Sequence, residues 1–178
     1  WNTPPELFDR LDKEYGPFTL DPACRPDQYS ARVIYKRGGY LYVPNYVGDG
    51  KRIYRDGLKQ PWIGRVFLNP PYGRELPKWL SLAVHEVNIG NADLCCALLP
   101  ARTDTRWWHD FILSSCMSTG RHERWFWSDG ERRDRGAEEI HFLKGRVRFV
   151  NEDGVAGPPK FGSAVVIWDH RRDEPKNK

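Results

Sequence analysis

The sequence predicts an α/β fold: a mostly parallel sheet with helices on both faces and an antiparallel hairpin near the C-terminus. Three observations carry this expectation. Short apolar stretches of strand length recur at Phe18–Leu20, Arg65–Leu68, Asp93–Pro100 and Ser163–Trp168. Amphipathic stretches of roughly 10–15 residues lie between them, the pattern of βαβ units. Finally, Ile140–Val150 (IHFLKGRVRFV) alternates around Gly145, as a strand pair or a bent strand would.

Each element has a local reason. Thr3-Pro4-Pro5-Glu6 ahead of Leu7, Phe8 and Leu11 predicts a helix start, with Thr3 as N-cap, Pro4 in the first turn and Glu6 closing a capping box. Gly16-Pro17 ends that helix, and the strand Phe18-Thr19-Leu20 stops at Asp21-Pro22. Residues 36–55, rich in glycine and tyrosine, read as a loop or hairpin insertion. The strand Arg65–Leu68 is cut off by Asn69-Pro70-Pro71-Tyr72. Leu80, Ala83, Val84 and Val87 recur at helical spacing within Pro77–Gly90. Asp93–Pro100 reads as a buried strand, Asp104–Cys116 as a helix capped by Thr103 or Asp104, and Ser163–Trp168 as the last strand. The tail Arg171–Lys178 is polar and expected to fray.

Composition bounds the function. The 178 residues fit a single domain over 1–170 followed by the tail. With 39% apolar and 29% charged residues the chain reads as soluble and globular, and no apolar run reaches the ~20 residues needed to span a bilayer. Trp1 in place of Met predicts a trimmed chain in which a leader would be invisible. Cys24, Cys95, Cys96 and Cys116 have no C-x-x-C spacing and no histidine at metal-ligand spacing, so neither a disulfide framework nor a structural metal is expected, and a reducing cytoplasm is.

The net charge of +4 is mild, but its distribution is not even. Arg121, Arg124, Arg132, Arg133, Arg135, Lys144, Arg146 and Arg148 crowd a stretch that also holds Trp125, Phe126, Trp127, Phe142 and Phe149. Interleaved cations and aromatics suit phosphate contact with base stacking; a solvated face with ordinary core aromatics is the other reading.

The sharpest signal is Phe67-Leu68-Asn69-Pro70-Pro71-Tyr72. It follows an apolar strand and so falls at a strand's carboxyl end, where open α/β sheets bind ligands. The exocyclic amine of a nucleobase is a poor nucleophile because its lone pair is delocalised into the ring. Two acceptors aimed at its hydrogens, the Asn69 side-chain oxygen and the Pro70 carbonyl, would favour a pyramidal nitrogen and localise that pair. The two prolines fix φ, so the acceptors are set before substrate arrives. Tyr72 offers a flat face on which a base can stack, and a base inside a duplex must be flipped out to reach it. The alternative is a rigid Pro-Pro turn with a buried tyrosine.

These strings together resemble a family. N-P-P-Y is the catalytic motif of S-adenosylmethionine (AdoMet)-dependent amino-methyltransferases. W-x-T-P-P-E-L-F at Trp1–Phe8, F-T-L-D-P-A at Phe18–Ala23, D-G-L at Asp56–Leu58, L-P-A-R-T-D-T-R-W at Leu99–Trp107 and F-L-K-G-R-V-R-F at Phe142–Phe149 follow in the order of phage-type (Dam-like) DNA N6-adenine methyltransferases. The resemblance runs from residue 1 to about 168. It implies a compact Rossmann-like methyltransferase sheet, AdoMet as cofactor, DNA as partner, a monomer or weak dimer, and a phage or prophage enzyme of DNA modification in a bacterial cytoplasm.

By position, the resemblance implies that Asn69, Pro70, Pro71 and Tyr72 are catalytic. Thr3 and Pro4 would approach the methionine end of AdoMet. Asp21 and Pro22 would serve its ribose or amino group, Asp56 and Leu58 its adenine, and Asn69 would also contact it. Helix cap and turn roles are the alternatives at these positions. Arg102, Thr103, Arg106 and Trp107, with Lys144 and Arg146 beside Gly145, would meet DNA, or else form a helix start and a solvated turn. Asp21-Pro22-Ala23-Cys24-Arg25 carries no glycine where the family has a Gly-rich loop. Asp21 therefore belongs either to a reduced first-strand motif or to the second, ribose-binding strand. Other substrates of the same chemistry are cytosine N4, RNA and protein glutamine, and a silent DNA-binding module is the reading from a different class.

Overall fold

The structure, a computed structural model, describes residues 2–25, 27–43, 53–54, 56–113, 136–150, 156–157 and 160–170. Its centre is a seven-stranded sheet built from β1 (Leu20–Asp21), β2 (Tyr40–Tyr42), β3 (Ile53–Tyr54), β4 (Gly64–Leu68), β5 (Ala92–Pro100), β6 (Glu139–Phe142) and β9 (Ser163–Asp169). The spatial order is β3-β2-β1-β4-β5-β9-β6. Pairs from β3 to β5 are parallel, whereas β9 lies antiparallel between β5 and β6. The parallel part has the 3-2-1-4-5 order of a doubly wound sheet, with its topological switch between β1 and β4. The Rossmann-like α/β expectation holds.

Two cores explain the long apolar runs. On β5, Leu94, Cys96 and Leu98 face one way, toward Phe8, Leu11 and Tyr15 of α1 (Pro5–Tyr15) and Ala31 and Ile34 of α2 (Tyr29–Lys36). Cys95, Ala97 and Leu99 face the other way, toward Leu80, Ala83 and Val87 of α3 (Leu76–Asn88) and Trp108 of α4 (Arg106–Phe111). A strand covered on both faces needs apolar residues at every position, which is why Leu94–Pro100 shows no polar alternation. Burial raises the thiol pKa of Cys24, Cys95 and Cys96 well above the ordinary range; Cys116 lies outside the described residues.

Four local expectations are corrected. First, Thr3 does not cap α1. Pro4 holds the N-cap position in an extended conformation (φ −57°, ψ 138°), because the ring of Pro5 disfavours helical backbone in the residue before it. Second, the 36–55 stretch is not a hairpin insertion where it is described. It supplies β2, which pairs in parallel with β1, and β3, which pairs in parallel with β2. Gly38 (φ 91°) turns the chain out of α2, and the tyrosines flank buried Leu41 as sheet residues. Third, Ile140–Val150 does not fold on itself. β6 pairs with β9, while β7 (Phe149–Val150) pairs with β8 (Ala156–Gly157). Gly145 (φ 79°) supplies the turn, and Leu143 N donates to Ser163 O, so the chain leaves β6 along β9. Fourth, α4 starts at Arg106 with Thr105 at its N-cap position, and the Thr105 hydroxyl donates back to Arg102 O at 2.7 Å.

Among the described residues no helix is long and apolar enough to cross a membrane, and no group of three or more His, Cys, Asp or Glu could hold a metal ion. The arginines and aromatics of 121–135 lie outside the described residues.

Candidate active site at the switch point

β1 and β4 are neighbours, so their carboxyl ends bring Asp21-Pro22 and Asn69-Pro70 to one edge of the sheet. A cavity of about 510 Å³ opens there, within the usual ~300–1,000 Å³ of small-molecule sites. Asn69, Pro70, Pro71 and Tyr72 line it together with Ala23, Arg25 and Gln28 from the β1–α2 segment and with Phe149, Gly157 and Phe161 from the C-terminal part of the chain. The tetrapeptide therefore lies on the wall of a cavity.

The orientation of Asn69 is set from a distance of 66 residues. Its Nδ2 donates to the hydroxyl of buried Thr3 at 3.0 Å. With the nitrogen so engaged, Oδ1 is the end of the amide left to accept. Tyr72 is fixed as firmly: its hydroxyl donates to Leu98 O on β5 at 3.0 Å, and Phe149 and Phe161 meet its ring edge-on at 6.1 and 5.7 Å. Burial lifts the phenol pKa far above its ordinary value, so Tyr72 has no acid–base role near neutrality.

Asp21 lies one layer behind the wall. It is 2% exposed, accepts from the Ser30 hydroxyl at 2.9 Å and from the Ala23 amide at 3.3 Å, and Ala23 in turn lines the cavity. Both donors are neutral. Desolvation outweighs them and pushes the carboxyl pKa up to about 7. Asp56 and Leu58 do not line the cavity. Asp56 (φ 51°) accepts from Leu58 N at 3.2 Å and pairs with Lys59 at 3.1 Å, and Leu58 packs on the core. Their turn nonetheless touches the β1 end, since any side chain at Gly57 would collide with the Pro22 carbonyl.

The residues expected to meet DNA divide into two groups. Arg102 is exposed and places its guanidinium 5.2 Å from the centre of the Phe161 ring, itself on the cavity wall. Thr103 is exposed on the same loop, Arg106 pairs with Asp110 at 3.4 Å, and Trp107 packs half-buried on the core. Lys144 and Arg146 are exposed on the Gly145 turn, away from the tetrapeptide in sequence but next to Phe142. Phe142 is 62% exposed and stacks on Trp108 at 6.0 Å. His141 bonds to Tyr15 and Glu139 and is not on the cavity wall.

Sequence reasoning missed Arg25, Gln28 and Phe161 as wall residues. No spacing marks them; only the return of the chain after β1 and before β9 delivers them. No protein-family model matches this chain, and no curated protein matches it.

Proposed function

We propose that this chain is an AdoMet-dependent DNA methyltransferase acting on the N6 amine of a flipped-out adenine. The observation that carries the reading is the Thr3-held Asn69 amide, with Oδ1 left to accept, in an Asn-Pro-Pro-Tyr segment on a cavity wall at the switch point. Asn69 Oδ1 and the Pro70 carbonyl accept the two N–H bonds of the amine and turn its lone pair out of the ring plane. Because Pro70 and Pro71 lock their φ angles, the acceptors need no reorganisation, which is where electrostatic catalysis gains most. Tyr72, tied to Leu98 and braced by Phe149 and Phe161, presents the base with a rigid aromatic wall. No general base is required of the chain, because the amine becomes acidic once it has taken the methyl group and its proton then leaves to water.

The donor set fits AdoMet at the β1 end. Asp21 is a buried carboxyl whose partners Ser30 and Ala23 are neutral, so a cationic ligand at this edge is drawn to it. Thr3-Pro4 and Asp21-Pro22-Ala23 are the segments that would hold the cofactor. When bound, AdoMet supplies an electrophilic methyl group on a sulfonium sulfur. Exposed Arg102 beside Phe161, and exposed Lys144 and Arg146 on the turn after Phe142, suit the phosphates and bases flanking the target.

The test is transfer of labelled methyl from AdoMet to plasmid DNA, followed by nucleoside mass spectrometry. N6-methyladenine is expected. N4-methylcytosine alone would move the activity to cytosine, and no transfer to DNA from bound AdoMet would refute the reading.

A further inference from the structure

Four large apolar side chains stand exposed among the described residues: Tyr40, Ile63, Ile89 and Phe142. The first three lie at the amino ends of β2, β4 and β5. Phe142 instead closes a strand at the cavity end of the sheet, because β6 runs antiparallel to β9 and therefore parallel to β5. Its ring lies 21° from the plane of Trp108, which is buried in the core, so one face is braced and the other meets solvent. A ring already held flat stacks on a base at little entropic cost.

Strand register fixes how far this ring is from the target. Leu68 on β4, Ala97 on β5, Val166 on β9 and Ile140 on β6 share one row. Three strand spacings of ~4.8 Å put Ile140 about 14 Å from Leu68. Asn69 and Phe142 follow those two residues toward the same edge, so the same gap separates them. The edge between is continuous. Ala101 N donates to Gly162 O and Leu143 N to Ser163 O, both at 2.9 Å, which joins the ends of β5, β9 and β6 into one ledge. Arg102 stands on it with its guanidinium 5.2 Å from the centre of the Phe161 ring on the cavity wall, and exposed Lys144 follows Phe142. Asp104 on the Arg102 loop is exposed, so water and salt screen its opposing charge.

At ~3.4 Å per nucleotide along a stacked strand, that gap is about four nucleotides, and about two where the strand is stretched. A base within a duplex has both faces covered by its neighbours and cannot stack on a protein ring. We propose that Phe142 is a stacking platform for a base about two to four nucleotides from the target adenine, on a strand that lies unpaired along the ledge from the cavity to β6. The proposal deepens the adenine reading and rests on it: the substrate is single-stranded or locally opened DNA, not a duplex with one flipped base.

The test is binding of a single-stranded oligonucleotide with one adenine, intact or with one abasic site stepped outward from it on either side. Wild type is expected to lose affinity about fivefold or more at one position about two to four nucleotides from the adenine. Phe142→Leu keeps an apolar side chain on Trp108. It should bind the intact strand about fivefold or more weaker and lose nothing further at that position. Phe142→Tyr keeps the ring and should keep the wild-type profile. A wild-type profile that is flat at those positions overturns the platform whatever the variants do. So does an unchanged profile in Phe142→Leu, or wild-type binding of duplex DNA but not of the single strand. Methyl transfer from AdoMet to the same oligonucleotide distinguishes the platform from the reading beneath it. Transfer with a flat profile refutes the platform and leaves the adenine reading. The expected profile without transfer refutes the adenine reading and leaves a single-strand site.

Discussion

Asp21→Asn should remove a pH dependence of stability that the wild-type chain carries between pH 5 and 8. Burial raises the Asp21 carboxyl from its ordinary 3.8 to about 7 in the folded protein. Between those values the native state holds a proton that the unfolded state has released, so wild-type stability falls as pH rises and levels off above about 7. A rise of about 3 pH units at about 1.4 kcal/mol each amounts to about 4 kcal/mol, of which roughly 2 kcal/mol falls between pH 5 and 7. Asparagine keeps the geometry. Its Oδ1 can accept from Ala23 N and its Nδ2 can donate to the Ser30 hydroxyl, in place of the bonds now at 3.3 and 2.9 Å. The variant should therefore match wild type near pH 4 and exceed it at pH 8. Urea unfolding at pH 5, 6, 7 and 8 measures both curves. Equal slopes for the two proteins would refute the buried-carboxyl argument. Glu139, held low chiefly by its bond to His141, works in the opposite sense and at lower pH, so it does not mimic this signal.

Thr3→Val keeps the shape but loses the hydroxyl that holds Asn69 Nδ2, so turnover at saturating AdoMet should fall about fivefold, the worth of one hydrogen bond, with Thr3→Ser restoring the rate. Wild-type turnover in Thr3→Val would show that the amide is oriented by something else. Tyr72→Phe leaves the buried Leu98 carbonyl without its donor and should cost about 1 kcal/mol of stability with mild loss of turnover, whereas Tyr72→Ala should lose base stacking worth about 1–3 kcal/mol. Equal damage to turnover from both would reject the stacking role. Lys144→Ala and Arg146→Ala should each reduce the log–log salt slope of duplex binding by about 0.9 and weaken two unrelated duplexes alike. Unchanged slopes would put both residues on a solvated face.

The sheet and its central strands were legible because Val66–Leu68 of β4, Leu94–Pro100 of β5 and Ala164–Trp168 of β9 are buried on both faces and are apolar at every position. The tetrapeptide was legible because prolines have no other way to follow such a strand. What stayed hidden follows one rule. β2 escaped because it has three residues, with Tyr40 exposed and only Leu41 and Tyr42 buried, so it carries too little pattern to outweigh the glycines before it. Alternation reports a strand but not its partner, so β6 reads as half of a hairpin with β7; the pairing with β9 is a contact across 22 or more residues. The meeting of Arg25 and Gln28 on Asn2 Oδ1 likewise joins positions that share no spacing.

One feature of the site was in the sequence all along and becomes meaningful only in three dimensions. Thr3-Pro4-Pro5 and Asn69-Pro70-Pro71 are both a polar residue followed by two prolines, and the two polar side chains bond to each other. Asparagine and threonine ordinarily bond the backbone N–H two residues on. Here that residue is proline in both segments and has no N–H. Each side chain is thereby denied its local partner and left to the other, which keeps Asn69 Oδ1 available at the cavity. Pro71→Ala tests this directly. It restores an N–H two residues beyond Asn69 while Pro70 still sets φ, and Pro71 is exposed, so little packing is lost. The new donor should capture Oδ1 in a local turn and lower turnover by about fivefold with AdoMet affinity unchanged. Pro71→Gly, with the same N–H, should do likewise. Wild-type turnover in both variants would mean that the missing N–H is irrelevant and that the prolines serve only to stiffen the turn.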